Sequence, residues 1–393
     1  MEAYLDYNAT SPLDPRVFEF MKTYLTGAFG NASSIHKKGQ EARNAVEAAR
    51  EKIADALEVE PGDVFFTSGG TESDNLALKG MMEASEKRKH LVVSAVEHQA
   101  VLFPAQYLEK RGYYLTVVRA GSDGVVDLNA LKEAINDDTA LVSLMHVNNE
   151  TGAIQPVEEA ARLAHAKGAL LHVDAVQSFG KLPVQPEEAG FDLVSLSGHK
   201  ICGPKGAGAL YVKKGVKLKA LTHGGHQEKN VRPGTENVAA IAGFGRAAEL
   251  AAAEREEDGA RAGRLRDRLE EGLRRAVPGL RLNGPPAGRV RNTLNLSFEG
   301  LEGETLLMNF DLKGICVSTG SACTAGSIEP SHVLLAMGLS EPLARDAVRF
   351  SLGRFTTGEE IDYALAEIPA VVERLRKASV SRKSPPPAHS KLP

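Results

Sequence analysis

Residues 169–212 read ALLHVDAVQSFGKLPVQPEEAGFDLVSLSGHKICGPKGAGALYV and contain three short apolar runs between turn-forming residues. The runs are ALLHVD, FDLVSLSG and GALYV, and each has the length of a buried strand. Continuous apolar strands are typical of a parallel sheet that is covered on both faces. The first two runs end at polar residues, Asp174 and the pair His199-Lys200. The segment therefore predicts an open α/β sheet with chemically useful side chains at its strand ends.

The same pattern extends towards the N-terminus. Further strands are predicted at VFFT (64–67), HLVVSAV (90–96) and ALVSLMH (140–146). Amphipathic helices lie between most of the strands, for example PVEEAARLAHAKG at residues 156–168, which a proline opens and a glycine closes. Strands that alternate with helices indicate a mostly parallel sheet with helices on both faces.

The second half of the chain differs in texture. A helical stretch rich in Ala, Arg and Glu runs from Glu236 to about Ala276. Beyond it, the strand-like runs TLNLSF, GICVS and VRFSLG alternate with helices and predict a smaller α/β domain. The last stretch, residues 379–393, is rich in Pro, Ser and basic residues without periodicity, so we expect it to be disordered.

Composition excludes several classes of protein. The 47 basic and 51 acidic residues give a net charge of −4, so no broad basic field predicts nucleic-acid binding. No apolar run is long enough to span a membrane, and the N-terminus lacks the features of a signal peptide. The three cysteines (Cys202, Cys316 and Cys323) are too few for a disulfide framework and form no C-x-x-C zinc motif. We expect a cytoplasmic protein without a metal.

Polar residues follow the predicted strands at one edge of the sheet. Ligands bind at this edge in open parallel sheets, because the loops there converge on helix N-termini. The groups are the turn Ser68-Gly69-Gly70-Thr71, then His98, Asn149, Asp174 with Gln177, and His199-Lys200.

Each of these signals is weak alone. His98 is more readily explained as a structural histidine, and Asp174 could equally cap the next helix. Lys200 lies between an apolar strand and a Gly-Pro-rich segment, where burial would lower the pKa of its amine and make it nucleophilic. A surface position remains the simpler explanation of Lys205.

Together the groups match the needs of pyridoxal phosphate. That cofactor requires a lysine for its Schiff base and a carboxylate against the pyridinium nitrogen. Lys200 and Asp174 supply these groups, Gly70 and Thr71 form a phosphate cup, and the flat ring of His98 can stack on the cofactor.

Cys323 lies in a run of small residues, STGSACTAGS at positions 318–327. Such a segment buries little apolar area, so an exposed, reactive thiol is expected there, whereas Cys202 and Cys316 fit buried positions. On this evidence alone, an incidental surface thiol is the better explanation of Cys323.

At this point the sequence resembles a known family, the group I cysteine desulfurases of the nitrogen-fixation and iron–sulfur-cluster type, in the class V aminotransferase family. The resemblance extends from Tyr4 to about Leu375. Its blocks are YLDYNAT, FGNASSIH, FTSGGTESDN, VEHQAVL, MHVNNETG, HVDAVQS, SGHKICGPKGAGALY, GGHQEKNVRPGTEN, STGSACTAGSIEPSHVL and VRFSLGRFTT. The SGSAC motif argues for group I.

The resemblance implies fold type I, the aspartate-aminotransferase-like fold, with a mostly parallel seven-stranded sheet and helices on both faces. A large pyridoxal-phosphate domain would comprise residues 13–256. A small domain, residues 1–12 and 257–378, would carry the persulfide cysteine. Residues 379–393 remain the expected disordered tail.

The resemblance also assigns roles. It makes Lys200 the Schiff-base lysine, Asp174 the pyridinium partner and His98 the stacking residue that can move a proton. The further cofactor contacts that it implies are Gln177 and Asn149 near the ring hydroxyl, and Gly70, Thr71, Ser197 and His199 at the phosphate. Thr235 would reach the phosphate of the neighbouring subunit, which implies a homodimer. Arg349, with Asn149, would bind the substrate carboxylate, although an ordinary salt-bridge arginine is the alternative.

The implied reaction converts L-cysteine to L-alanine and places the sulfur on Cys323 as a persulfide. An acceptor protein, such as an iron–sulfur cluster scaffold, would then take the sulfur. The alternatives on the same fold are a selenocysteine lyase and another class V aminotransferase, neither of which needs Cys323. A phosphate- or nucleotide-binding protein, or a sulfur carrier without enzymatic activity, would need no Lys200 chemistry.

Overall fold

The computed structural model describes residues 1–319 and 329–383, and of residues 379–383 it describes the backbone only. The strands, in chain order, are β1 (Ala3–Tyr4), β2 (Val64–Thr67), β3 (His90–Ser94), β4 (Tyr114–Val118), β5 (Thr139–Met145), β6 (Leu170–Asp174), β7 (Leu193–Ser197), β8 (Gly208–Val212), β9 (Leu280–Leu282), β10 (Thr293–Phe298), β11 (Ile315–Cys316) and β12 (Ala347–Ser351).

The helices, in the same order, are α1 (Pro15–Thr26), α2 (Lys37–Leu57), α3 (Gly70–Asn75), α4 (Met81–Ala84), α5 (Gln99–Lys110), α6 (Leu128–Ala134), α7 (Val157–Ala166), α8 (Pro186–Ala189), α9 (Val238–Ala276), α10 (Gly303–Asp311), α11 (His332–Ala336), α12 (Glu341–Arg345) and α13 (Gly358–Lys383). A π-helical turn, Leu76–Gly80, joins α3 to α4.

Within the described residues, a seven-stranded sheet has the order β2-β8-β7-β6-β5-β3-β4. Strand β8 is antiparallel to both β2 and β7, and the remaining pairs are parallel. The connection from β7 to β8 is too short for the helical crossover that a parallel pair needs, so β8 must run back along β7. The structure confirms the mostly parallel seven-stranded sheet.

All six strands predicted in this sheet are present, while β4 was not predicted. Strand β4 lies at the edge of the sheet beside β3. Its Tyr114 and Val117 are exposed, so the strand has no continuous buried face to reveal it in the sequence.

A second core lies around a smaller antiparallel sheet of order β12-β10-β9, with β1 paired in parallel to β11 nearby. Ala3 and Leu5 of the N-terminus pack into this second core. The predicted strands TLNLSF, GICVS and VRFSLG correspond to β10, β11 and β12. The C-terminal helix α13 reaches Lys383, which corrects the expectation of disorder for residues 379–383; residues 384–393 lie outside the described part.

Helix α9 belongs to both cores. Phe244 and Ala248 in its first half pack in the core around the large sheet, and Leu269 and Leu273 pack in the second core. The domain limit between residues 256 and 257 stays a prediction. In the part of the chain that the structure describes, no helix is both long and apolar enough to cross a membrane.

Two glycines of α9 have opposite surroundings. A Cβ on Gly245 would lie 2.6 Å from Ala49 Cα on α2, whereas a Cβ on Gly259 would meet nothing closer than Arg291 Nη1 at 3.4 Å. We expect Gly245→Ala to destabilise the protein by about 1–3 kcal/mol, because the backbone of α2 must move. Gly259→Ala, the matched control, should be neutral or stabilising by up to ~1 kcal/mol, because Ala favours a helix. Denaturant unfolding measures both, and equal effects would contradict the packing argument.

Candidate active site

A cavity of about 280 Å³ opens at the carboxyl ends of β5, β6 and β7. Ten of the twelve predicted site residues line it: Gly70, Thr71, His98, Asn149, Asp174, Gln177, Ser197, His199, Lys200 and Arg349. The exceptions are Thr235, which is exposed elsewhere on this chain, and Cys323, which lies outside the described residues. The strand ends therefore converge as the sequence predicts.

The chain enters the undescribed segment 320–328 beside this cavity. Ser318 and Arg349 exchange backbone hydrogen bonds: Ser318 N donates to Arg349 O at 3.2 Å, and Arg349 N donates to Ser318 O at 2.6 Å. On the other side, His332 in α11 lies 2.9 Å from the carbonyl oxygen of Glu97 through its Nε2. One flank of the segment that contains Cys323 is thus bonded to Arg349, which lines the cavity, and the other to Glu97, which precedes the cavity residue His98.

Lys200 ends a short 3₁₀ turn directly after β7. Its ammonium donates to the carbonyl oxygens of Asn8 and Ala9, the latter at 2.9 Å. The side chain thereby faces the N-terminal segment, which lies across the cavity. Lys205, the surface alternative, is exposed and does not line the cavity.

Asn8 organises this part of the site, although the sequence analysis gave it no role. Its carbonyl also accepts from Gln177 Nε2 at 2.9 Å, and its Nδ2 donates to Asn149 O at 3.1 Å and to Thr293 Oγ1 at 2.9 Å. The block YLDYNAT marked the region, but only long-range contacts could reveal its function.

Asp174 ends β6 and is buried. Burial raises the pKa of its carboxyl to about 6, while a backbone hydrogen bond from Val176 and the charge of Lys200 oppose the shift. Val176 N donates to Asp174 Oδ1 at 2.9 Å within a turn, and no helix begins there, so the helix-capping alternative considered from the sequence is wrong. Asp174 also lines the cavity.

Two other buried carboxyls adjoin Asp174, and neither was singled out from the sequence. Burial raises the pKa of Glu97 to about 8, and burial followed by the charge of Asp174 raises the pKa of Asp74 well above its usual range. Asp174 therefore ionises more readily than Glu97. At neutral pH the negative charge resides on the residue that the sequence predicts to face the pyridinium nitrogen.

His172, which lies on the same strand as Asp174, is also buried. Its Nδ1 is 2.8 Å from Ser143 Oγ, and its Nε2 is 2.9 Å from Ser195 Oγ. Burial lowers the pKa of this imidazole to about 3, so it is neutral and adds no charge that would compete for Asp174.

His98 caps the N-terminus of α5, where its Nδ1 accepts from Ala100 N at 3.0 Å. Burial, followed by the charges of Lys200 and His332, lowers the pKa of its ring to about 4. Because Nδ1 accepts a hydrogen bond and the ring is neutral, the ring proton belongs on Nε2. His98 is therefore both a structural cap and a flat, neutral group at the cavity.

The turn before α3 suits an anion. Gly69 has φ 154°, and a Cβ on Gly70 would lie only 2.6 Å from Val176 Cγ2. The first N–H groups of a helix lack intrahelical partners and favour negative charge. Ser197 Oγ is buried and has no hydrogen-bond partner among the described residues. A hydroxyl of this kind, a glycine turn and a helix start fit a phosphate group.

Arg349 is almost completely buried in β12. Its Nη2 contacts Asp6 Oδ1 at 2.7 Å and its Nη1 donates to Asn149 O at 3.1 Å, so the salt-bridge alternative is present. Its Nε has no partner among the residues that the structure describes.

Lys181, missed from the sequence, donates to Gln177 Oε1 at 2.8 Å, and burial together with the charges of Lys200 and Arg349 lowers its pKa to about 7.

Comparison with known proteins places these residues in a family context. A model of the aminotransferase class-V family matches residues 3–364. Cysteine desulfurase IscS of Dictyoglomus turgidum is 48% identical over 379 residues, covering 96% of each chain. Cysteine desulfurase 2 of Trichormus variabilis is 46% identical over 376 residues, covering 96% of this chain and 94% of that protein.

Solved structures agree. A NifS-like protein has a TM-score of 0.90 and 40% identity, with 95% of this chain and 100% of that one covered. SspA in complex with cysteine has a TM-score of 0.80 and 36% identity, with coverages of 90% and 100%.

The buried Glu97 gives a pH-dependent prediction. Between about pH 4.5 and pH 8 the folded chain holds a proton on Glu97 that the unfolded chain has released, so this group lowers stability as the pH rises. Glu97→Gln removes the effect and retains an acceptor for Ser94 Oγ and Met145 N. The stability of Glu97→Gln relative to the unsubstituted protein should therefore rise by up to ~1.4 kcal/mol per pH unit across this window.

Denaturant unfolding at a series of pH values measures the difference, with the exposed Glu158→Gln as the matched control. A difference for Glu97→Gln that does not change between pH 5 and pH 8 would contradict the prediction.

Proposed function

This chain belongs to the aminotransferase class-V family, and on that premise we propose that it is a pyridoxal-phosphate-dependent cysteine desulfurase that uses the cavity around Lys200. The observation that carries the proposal is the convergence of Lys200, Asp174 and His98 on one cavity beside the base of the Cys323 segment. The reaction converts L-cysteine to L-alanine and retains the sulfur on the protein.

The cavity residues fit the cofactor. Pyridoxal phosphate supplies an electrophilic carbonyl and an electron sink when it is bound. The glycine turn at Gly70 and the unpartnered Ser197 hydroxyl would hold its phosphate, together with Thr71 and His199. Asp174 would hold the proton of the ring nitrogen, and Gln177 the ring hydroxyl.

Arg349 binds the carboxylate of the substrate in this proposal. Its guanidinium is oriented by Asp6 and by the carbonyl oxygen of Asn149, and these contacts leave Nε unused. A planar guanidinium recognises a carboxylate through two parallel hydrogen bonds, which fixes the direction of the substrate as well as its charge. Asp6 then positions the arginine rather than competing with the substrate for its whole charge.

Lys200 and His98 move protons. The Lys200 amine removes the proton from the substrate α-carbon, and the Nε2 proton of the neutral His98 ring is available for donation. The Cys323 thiolate attacks the substrate sulfur; a sulfur–sulfur bond forms, the carbon–sulfur bond breaks, and its electron pair stays with the three-carbon fragment that becomes alanine. An ordinary thiol is only partly ionised at pH 7, so the proton of Cys323 must pass to a base in the site.

The active unit is a homodimer in this proposal, because exposed Thr235 would serve the phosphate site of the partner subunit. The persulfide passes to a sulfur-acceptor protein, such as an iron–sulfur cluster scaffold. The few cysteines and the persulfide chemistry favour a reducing compartment, the cytoplasm.

The identity of the nucleophilic lysine can be tested by borohydride reduction of the protein with bound pyridoxal phosphate, followed by peptide mapping. We expect the label on Lys200, because it lines the cavity with Asp174. Lys181 is a more demanding internal control than Lys205, because its amine has a lowered pKa and lies close enough to Lys200 to feel its charge. A label mainly on Lys181 or Lys205 would remove Lys200 from the proposed role.

The second test concerns sulfur transfer. Cys323→Ala should retain the cofactor absorbance but lose alanine production by at least about a hundredfold, because the carbon–sulfur bond has no nucleophile to accept its sulfur. Cys316→Ala, in the half-buried strand β11, is the matched control and should keep alanine production. Alanine and sulfide are assayed together after incubation with L-cysteine. Full alanine production by Cys323→Ala would leave a lyase or aminotransferase reaction without a protein persulfide.

A further inference from the structure

The segment that leads to Thr235 begins with a run of unusual backbone conformations. Glu228, Lys229 and Asn230 have φ values of 45°, 54° and 67°. Residues with a Cβ avoid this left-handed region, and three in succession are uncommon. Such a conformation persists only where contacts impose it. Specific contacts must therefore hold residues 228–230 in this conformation.

The carboxylate of Glu228 supplies most of them. It is buried and forms a two-point contact with Arg50, with Nη2 to Oε1 at 2.7 Å and Nη1 to Oε2 at 2.9 Å. It also accepts from Phe66 N at 2.8 Å. A buried carboxylate with three donors is firmly fixed, because its release would leave the Arg50 charge without compensation.

These contacts attach the segment to the outer edge of β2. Phe66 N binds Glu228, and Val64 O accepts from Arg50 Nη1 at 2.6 Å, so the pair satisfies outward-facing backbone groups of an edge strand. Lys229 Nζ adds a bond to Gly62 O just before the same strand, at 2.6 Å. Strand β2 continues directly into the turn proposed to hold phosphate.

A second tie follows three residues later. Arg232 Nε donates to Glu72 Oε1 at 2.8 Å, and Glu72 Oε2 accepts from Ser68 N at 2.6 Å. Glu72 lies in the first turn of α3, so it joins the chain's own phosphate turn to the segment that ends at exposed Thr235. The segment is thus held at two points before Thr235, at Glu228 and at Arg232.

We propose that Glu228 and Arg50 are positioning residues that fasten segment 228–235 to β2, and thereby present Thr235 to the cofactor phosphate of the partner subunit. The inference rests on the proposed sharing of sites between two subunits. It predicts that Glu228 acts in trans: its loss in one chain weakens cofactor binding in the other chain's site.

The first experiment compares Glu228→Gln with Glu47→Gln. Glu47 contacts the same arginine from the exposed side and has no bond to segment 228–230. Both variants are stripped of cofactor and titrated with pyridoxal phosphate. We expect Glu228→Gln to raise the dissociation constant at least about tenfold, and Glu47→Gln to change it less than about twofold.

The second experiment separates the two chains. Heterodimers with two different affinity tags are prepared, and each carries only one Lys200. In the first, a Glu228→Gln chain is paired with a Lys200→Ala chain, so the site with Lys200 receives an intact segment and should bind pyridoxal phosphate normally. In the second, a Glu228→Gln/Lys200→Ala chain is paired with an unsubstituted chain, and the site should show the tenfold loss. The readout is borohydride-fixed label on Lys200 at limiting cofactor.

Each outcome decides the inference. Equal labelling of the two heterodimers, or a loss that appears only in the first, overturns it. Thr235→Ala in the same crosses tests the premise: if its effect is not in trans, shared sites are wrong, and if it is in trans while that of Glu228→Gln is not, only the present inference fails. The readout needs no turnover, so absence of desulfurase activity is detected separately.

Should Glu228→Gln fail to fold, Arg232→Gln removes the partly exposed tie to Glu72 and is carried through the same crosses with the same expectations. A cofactor affinity that is unchanged in all Arg232→Gln combinations then contradicts the inference.

Discussion

The ionised carboxylate of Asp174 has to persist in surroundings that oppose it. The sheet removes water from its side chain, and two neighbouring carboxyls, Asp74 and Glu97, would repel its charge if they ionised too. Because their pKa values are raised, and because the imidazole of His172 is neutral, the buried layer keeps the charge at one position. Lys200 lines the same cavity, and its charge lowers the pKa of Asp174 and so favours the ionised carboxylate.

The sequence was informative where a feature depends on near neighbours. Buried strands show as apolar runs, and the residue after each run necessarily lies at one edge of a parallel sheet, so Lys200, Asp174 and His98 could be brought together without coordinates. Strand β4 was not predicted, because an edge strand needs no continuous apolar face. The expected tail was placed too early in the chain, because helix α13 continues beyond the last residues that pack in a core. Roles that came only from family resemblance, such as that of Thr235, still depend on it.

Other parts of the site could not be found in this way, because their physical basis is long-range. Asn8 owes its importance to bonds with Lys200, Gln177 and Thr293, which no local pattern records. The raised pKa of Glu97 reflects complete burial, and a Glu-His pair beyond a strand looks the same in sequence whether it is buried or exposed. Glu228 belongs to this group as well, since its partner Arg50 lies on a distant helix.

The N-terminal segment has a consequence for synthesis of the chain. Asn8 N donates to Ser351 Oγ across a sequence separation of 343, β1 pairs with β11, and Asp6 contacts Arg349. The partners of this segment follow it by more than 300 positions, so they are translated roughly 20–70 s later at about 5–20 residues per second. The large sheet can form during translation, but the carbonyl groups that hold the Lys200 amine reach their final places only after the last strand has emerged. Assembly of the active site is therefore a late event in the folding of this protein, because it waits for β11 and β12.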